Sequence, residues 1–140
     1  MRIAYLSVSD QLGGCEIVLL EMIKGIRRLR PAWTLQVILP GRGPLLDRAE
    51  AAGVDCVVLP MPASLARLGE SGAGPVALAI GLVPVALALP AYLRRLRAVI
   101  RAGRADILHT NGFKAHIAGA RASGDAAVVW HMHEYVGGRR

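Results

Sequence analysis

Short apolar runs alternate with segments of helical periodicity along the first sixty residues. "RIAYLS", "WTLQVILP" and "VDCVVLP" are apolar runs bounded by turn residues, as expected for strands covered on both faces of a sheet. Residues 15–29 have helical spacing, with these apolar positions on one face: Leu19, Met22, Ile23, Ile26 and Leu29. Residues 44–53 form a shorter helix, opened by Pro44 and closed by Gly53. The pattern predicts strand, helix, strand, helix, strand.

The last third of the chain repeats this alternation. "ADILHT" and "AAVVWHMH" are two further strands, with a helix over residues 113–122 between them. Trp130 in the last strand is expected in the core. Because strands that alternate with helices form parallel sheets with right-handed crossovers, we predict an α/β fold with about five or more parallel strands flanked by helices.

Residues 71–93 form an apolar segment with no charged residue, followed directly by "RRLR". Its length and polarity fit a transmembrane span with a positive flank. A single crossing would, however, put strands of one sheet on opposite sides of a bilayer. We therefore expect a helix that is partly buried and partly laid on a membrane surface. The alternative is a long core-packing helix broken at Pro84 or Pro90.

Charge and composition narrow the class of protein. A chain of 140 residues fits one domain. Its formal charge of +7 is concentrated after the apolar segment, so Arg94, Arg95 and Arg97 are predicted to contact an anionic membrane surface. Nucleic acid is a weaker candidate partner because the cluster lacks interleaved aromatic residues that stack bases. Two cysteines and no recognisable signal peptide favour a cytoplasmic protein with free thiols.

Three polar loops follow predicted strands at the sheet edge where open α/β folds bind ligands. In the first, Gly13 and Gly14 precede a helix, an arrangement that suits a phosphate or a plain tight turn. In the second, "HTNGFKAH" supplies His109, Asn111 and Lys114. Lys114 opposes the dipole of its helix, which indicates an anionic or hydroxyl-rich ligand or a solvated surface lysine.

The third loop, "WHMHEY", places His131 and His133 on one face of a strand. Zinc binding with His109 as third ligand is a weak alternative, since the ligand pattern is incomplete. A role for histidine as a hydrogen-bond donor or general base to a sugar hydroxyl requires fewer side chains in a fixed geometry than a zinc site does. His116 is expected to be a surface or packing residue. Nicotinamide binding is disfavoured because no G-x-G-x-x-G follows the first strand.

Together, "MRIAYLSVSDQLGGCEIVLLEMIKGI", "ADILHTNGFKAHIAGA" and "AAVVWHMHEYVG" resemble the N-terminal domain of family 4-like GT-B glycosyltransferases over essentially the whole chain. The resemblance implies a Rossmann-like acceptor-binding half, a second half that binds a nucleotide sugar, and transfer in the cleft between them without metal or cofactor. By resemblance, Gly13 and Gly14 lie near the donor phosphates, and His109, Asn111 and Lys114 line the acceptor side. His133 and Glu134 face the cleft as catalytic candidates.

Two departures accompany the resemblance. Cys15 stands where the family has alanine in a G-G-A-E pattern, a small change that leaves the turn intact. The chain stops at "EYVGGRR", so we expect residues 1–140 to be one acceptor-side domain without its donor-binding half, as a fragment or a split subunit, and inactive alone. The expected complete enzyme transfers sugar to a glycan or lipid-linked acceptor in polysaccharide or glycolipid synthesis at the inner membrane face. The alternative is a non-catalytic membrane-recruiting module that docks through residues 71–104.

Overall fold

The computed structural model describes residues 1–67 and 75–133, with the backbone alone over residues 75–81. Strands and helices alternate along this chain. In order they are β1 (Arg2–Ser7), α1 (Gly14–Leu29), β2 (Thr34–Leu39), α2 (Pro44–Ala51), β3 (Asp55–Val58), α3 (Ala63–Ala66), α4 (Pro75–Ala102), β4 (Ile107–Asn111), α5 (Phe113–Ala122) and β5 (Ala127–His131).

The strands form one parallel sheet in the order β3-β2-β1-β4-β5, which confirms the predicted α/β, Rossmann-like class. In the register, Ser7 of β1 lies beside Asn111 of β4, and Asn111 lies beside His131 of β5. The carboxyl ends of these three strands are therefore neighbours, and the loops that follow them meet at one edge of the sheet.

Helices cover the two faces of the sheet and bury two separate cores. On one face, α1 and α2 pack through residues such as Leu19, Ile23 and Leu45 against the odd-numbered positions of β1. On the other face, α4 and α5 pack through residues such as Leu96 against Leu108 of β4. Because successive strand side chains point to opposite faces, strands buried on both sides read as the continuous apolar runs seen in the sequence.

Two apolar residues are more exposed than their sequence pattern indicates. Leu29, on the predicted apolar face of α1, is 66% exposed, since it is the last residue of the helix. Trp130, expected in the core, is 56% exposed. The physical reason is that β5 is the edge strand of the described sheet, and α5 covers β4 more fully than it covers β5.

Helix α4 runs without a break from Pro75 to Ala102, through both Pro84 and Pro90, so the break that the alternative interpretation placed at one of these prolines is absent from this helix. Each proline removes one helical hydrogen bond, but both lie on the exposed side of α4, where water can hydrate the carbonyl groups left without donors. Val85, Tyr92 and Leu96 bury the opposite side against the sheet. Within the described residues, no helix has the length and apolarity needed to cross a bilayer.

Candidate functional site

A hydrogen-bonded pair of polar side chains lies at the carboxyl edge of β4 and β5. Asn111, the last residue of β4, is only 2% exposed, and its Oδ1 accepts a hydrogen bond of 2.6 Å from Nε2 of His133. In its neutral form, a His133 ring that donates from Nε2 keeps Nδ1 as a proton acceptor. The parallel register brings these residues together, although they are separated by more than twenty positions in the chain.

Two further histidines and a tyrosine extend this pair across the same face of the sheet. The His131 ring lies 4.0 Å from the His133 ring, measured between centroids. His109 is 5.2 Å from His131 on one side and 5.2 Å from Tyr5 of β1 on the other. The result is a row of polar rings that crosses β1, β4 and β5.

Three polar atoms in this row have no hydrogen-bond partner among the described residues: the Tyr5 hydroxyl, Nδ1 of His109 and Nδ1 of His131. Buried polar atoms are normally paired with protein groups or with water. Burial, and then the charges of His131, His116 and His133, lower the pKa of His109 to about 4. Burial also raises the pKa of Tyr5 to about 12. Near neutral pH His109 and Tyr5 are therefore uncharged, which suits hydroxyl ligands.

The opposite side of β4 holds this edge in position. The Thr110 hydroxyl donates to the Val129 carbonyl at 3.1 Å, so its oxygen must accept the 2.7 Å hydrogen bond from Nδ1 of His116. The His116 ring is buried and stacks on Trp130 with centroids 5.3 Å apart. The structure therefore places His116 in packing, as expected from the sequence, and locks β4 to both α5 and β5.

Lys114 lies at the start of α5, just after a turn that only glycine makes easily. Gly112 has a φ of +94°, and a Cβ there would lie 3.1 Å from the Val8 side chain. Lys114 then directs its ammonium to the carbonyl of Ala66 at the end of α3. The lysine is half-buried and links α5 to α3, so the structure gives it a structural contact beside its predicted acceptor role.

Gly13 and Gly14 begin α1 at the same edge of the sheet. The Gly13 N–H donates to the Glu16 carboxylate at 3.1 Å, and a Cβ on Gly13 would lie 2.9 Å from that carboxylate. Around Gly14 a Cβ would meet nothing within 4 Å, so a ligand can approach the backbone there. An anion at this helix end would compete with Glu16 for the positive end of the dipole.

Asp10 is a positioning residue of the candidate site that the sequence analysis missed. Its backbone carbonyl accepts a hydrogen bond of 3.0 Å from the N–H of Leu45. A Cβ on Gly43 would clash with the backbone carbonyl of Asp10, and a Cβ on Gly41 would clash with the Asp10 carboxylate unless that side chain moved. Asp10 thereby joins the loop after β1 to the loop after β2. The two glycines on either side of Arg42 indicate that another segment packs closely there, but the sequence alone does not show which loop does so.

The remaining predicted residues are placed differently. Glu134 lies outside the described residues. Arg94, Arg95 and Arg97 are exposed on α4, away from the row of rings, and Arg97 donates to the Arg121 carbonyl at the end of α5 with a distance of 2.6 Å. Over residues 1–67 and 75–133, no group of three or more histidine, cysteine or carboxylate side chains has the geometry to hold a metal ion.

Comparison with solved structures shows the same fold in glycosyltransferases. HepE of Anabaena, crystallised with UDP, is 22% identical, with 97% of this chain aligned to 30% of that chain and a TM-score of 0.63. A glycosyltransferase from Rickettsia africae is 17% identical over 94% of this chain and 30% of that chain, with a TM-score of 0.60. MurG of Acinetobacter baumannii is 9% identical over 93% and 34% of the two chains, with a TM-score of 0.61.

At these identities the likeness shows the fold alone, a Rossmann-like domain that matches part of GT-B glycosyltransferase structures, and the chain spans about 30% of the length of HepE. No curated protein matches the chain significantly. The family model described as "Glycosyl transferase 4-like domain" matches residues 13–140, which include the start of α1 and the three histidines of the row of rings, but not Tyr5. The chain therefore belongs to the glycosyl transferase 4-like domain family.

Proposed function

We propose that residues 1–140 are the acceptor-binding half of a glycosyltransferase that moves a sugar from a nucleotide-sugar donor to a glycan or lipid-linked acceptor. One observation carries the proposal. Buried hydrogen-bonding groups of Tyr5, His109 and His131 have no partner among the described residues, and the strands that carry them end at the edge of the sheet where α1 begins with the uncrowded backbone of Gly14. Such groups suit acceptor hydroxyl groups, because a hydroxyl group can satisfy their hydrogen bonds and costs less free energy to desolvate than a charged ligand does.

The acceptor side is assigned to the polar row. Asn111 and His109 would hydrogen-bond acceptor hydroxyl groups, and Lys114 would close that side of the cleft. His133 would take a proton; in support, Asn111 fixes the orientation of its ring through the 2.6 Å hydrogen bond and leaves Nδ1 to accept. Glu134 follows it in the chain and is proposed as the second catalytic candidate.

The donor side is assigned to the start of α1. Gly13 and Gly14 would lie near the donor diphosphate, where the helix end attracts negative charge and the space around Gly14 allows close approach. In the proposed reaction the acceptor oxygen bonds to the anomeric carbon, the bond from that carbon to the diphosphate oxygen breaks, and the hydroxyl proton passes to His133. The nucleoside diphosphate leaves with the bonding electrons, so no redox cofactor is required.

The nucleotide itself would be held by a second domain, in the same protein or in a separate subunit. HepE, which shares the fold, was crystallised with UDP and with UDP-glucose, and a nucleotide sugar is proposed here as donor on that likeness. Alone, residues 1–140 would be inactive, because half a cleft neither excludes water nor surrounds the developing charge. Polysaccharide or glycolipid synthesis on the cytoplasmic membrane face is the proposed setting.

The test is sugar transfer from a panel of nucleotide sugars, with residues 1–140 assayed alone and joined to the rest of their glycosyltransferase. Transfer only in the joined form supports the proposal. Arg121→Gln, on the exposed end of α5, serves as the matched control because it lies away from the polar row. If the joined enzyme transfers no sugar, and Asn111→Ala binds acceptor as well as Arg121→Gln does, the proposal is wrong.

A second candidate function, membrane recruitment through residues 71–104, is favoured by the surface of α4. Leu82, Val83 and Leu87 are exposed large apolar residues, and Arg94 and Arg95 are exposed two turns further along the same helix. An apolar stretch followed by arginines suits a helix that lies on an anionic bilayer. Arg97 contributes less, because its guanidinium is bound to the Arg121 carbonyl.

Vesicle flotation tests this docking. The chain should float with vesicles that contain phosphatidylglycerol, and Leu87→Gln and Arg94→Gln should each weaken the association. Arg121→Gln is again the control for a lost surface charge. Flotation that survives both α4 substitutions would contradict docking through this helix.

A further inference from the structure

A cleft lies between α1 and α2, toward the edge of the sheet opposite the candidate transfer site. Helix α1 begins after β1 at the carboxyl edge and ends next to the start of β2, so the second half of α1 lies toward the amino edge. The cleft has a volume of about 380 Å³, within the roughly 300–1,000 Å³ of ligand sites. It is lined by Leu20, Lys24, Arg27, Arg48, Ala51 and Ala52.

The polar lining of this cleft is entirely cationic. Lys24 and Arg27 project from α1 and Arg48 from α2, so the packing of two helices brings three positive charges to one opening. Lys24 has a partial counter-charge in Glu21, at 2.7 Å. No carboxylate within residues 1–67 and 75–133 pairs with Arg27 or Arg48. Like charges held close together are destabilising, and a bound anion would relieve that repulsion.

The neighbouring surface strengthens the positive field at this cleft. Arg2 begins β1, Arg28 and Arg30 lie at the end of α1, and Arg101 and Arg104 lie at the end of α4, all exposed. These elements end or begin at the amino edge of the sheet, where the exposed carboxylates of Asp55, Asp106 and Asp125 also lie. The charge at this edge is therefore mixed, with arginine in excess. An excess of charge of one sign raises the local concentration of counter-ions and steers charged ligands.

Arg27 is positioned at the rim of the cleft by the end of α2. A Cβ on Gly53, which has a φ of +71°, would lie 3.4 Å from Nη2 of Arg27, so the guanidinium lies against the bare backbone of that turn. Leu20, Ala51 and Ala52 supply the apolar part of the lining, here called the apolar floor. The cleft thus combines planar guanidinium donors, one ammonium group and a small apolar surface.

We propose that this cleft binds the phosphate group of a phosphorylated ligand. The two guanidinium groups supply the paired N–H donors that match phosphate oxygens, and Lys24 adds a point charge. The apolar floor receives the carbon atoms next to the phosphate. Either a phospholipid head group or a soluble phosphate ester offers this chemistry. The site is separate from the proposed sugar-transfer edge and does not depend on it.

The test titrates the folded chain with inorganic phosphate and follows backbone amide shifts by NMR, with chloride at equal ionic strength as reference. Amides of α1 and α2 around the cleft should shift saturably. Arg48→Gln should weaken the apparent affinity about fivefold or more, since it removes a charge-assisted pair of donors. Arg121→Gln, an equal loss of charge on α5, should leave the affinity within about twofold.

A second arm identifies the source of the phosphate. Flotation with vesicles containing phosphatidylglycerol is compared for the unchanged chain, Arg48→Gln and Arg48→Lys. If Arg48→Gln loses flotation and Arg48→Lys keeps part of it, the ligand is a lipid head group. If flotation is unchanged while phosphate binding is weakened, the ligand is a soluble phosphate ester. Absence of saturable shifts at the cleft, or equal weakening by Arg121→Gln, would overturn the proposal.

Discussion

Replacing Gly119 with alanine should destabilise the fold, although the same change usually stabilises a helix. Gly119 lies in α5, where the helix packs directly on β4. A Cβ there would lie 2.5 Å from Cγ2 of Thr110 and 3.2 Å from Cδ2 of Leu108. The Thr110 side chain cannot rotate aside without breaking its hydrogen bonds to Val129 and His116. Helix α5 must therefore move away from the sheet.

Two opposing terms set the size of this effect. Alanine gains about 0.8–1 kcal/mol over glycine in a helix interior. Overpacking a well-packed core costs typically about 1–3 kcal/mol. Because the closest contact is with a fixed, branched side chain, the cost should prevail, and the free energy of unfolding should fall by about 1 kcal/mol. For a domain of this size that corresponds to a fall in Tm of roughly 4 °C.

Gly25→Ala in α1 is the matched control, because a Cβ at Gly25 would meet nothing within 4 Å. This variant should gain about 0.5–1 kcal/mol from helix propensity alone. Urea and thermal denaturation followed by circular dichroism would measure both variants. If Gly119→Ala stabilises the chain as much as Gly25→Ala does, the close approach of α5 to β4 is wrong.

Two other predictions concern the polar residues of β4. The pKa of His109 is lowered from 6.5 to about 4 in the folded chain, so between these pH values the unfolded chain binds more protons than the folded chain. The free energy of unfolding should therefore keep its full value above about pH 6.5 and fall as the pH drops toward about 4. In urea denaturation, His109→Gln should make the free energy of unfolding depend less on pH over this range, and an unchanged pH dependence would contradict the prediction. Thr110→Val should lower the free energy of unfolding by about 1–3 kcal/mol, because the Val129 carbonyl and Nδ1 of His116 lose their partner. Thr34→Val at an exposed position is the control, and equal stabilities would contradict the assigned hydrogen bonds.

The strands and the sheet could be predicted from sequence because their signal is local. An apolar run between turn residues indicates a strand that is covered on both faces of the sheet. Alternation of strands with helices predicts that the strands pair in parallel. The parallel register also explains why Asn111 and His133, far apart in sequence, meet at one edge. The predicted loops therefore converge as expected, because strand ends in a parallel sheet share an edge.

What could not be predicted depends on contacts between elements. Trp130 has the apolar surroundings of a core residue, yet its exposure depends on what lies beyond β5. The approach of Asp10 to Gly41 and Gly43 joins two loops whose distance no local pattern encodes. The direction of Lys114 likewise follows from the position of α3, since the Ala66 carbonyl is its acceptor. Helix propensity alone also overstates the effect of Pro84 and Pro90 when both face solvent.

Steady-state kinetics of the joined enzyme, with donor and acceptor concentrations varied separately, test the central claim most directly. The account predicts that Asn111→Ala raises the acceptor KM about tenfold or more, since it removes a buried hydrogen-bonding group from the ligand edge, while the donor KM stays unchanged. A variant that keeps the acceptor KM and alters only the donor KM would contradict it.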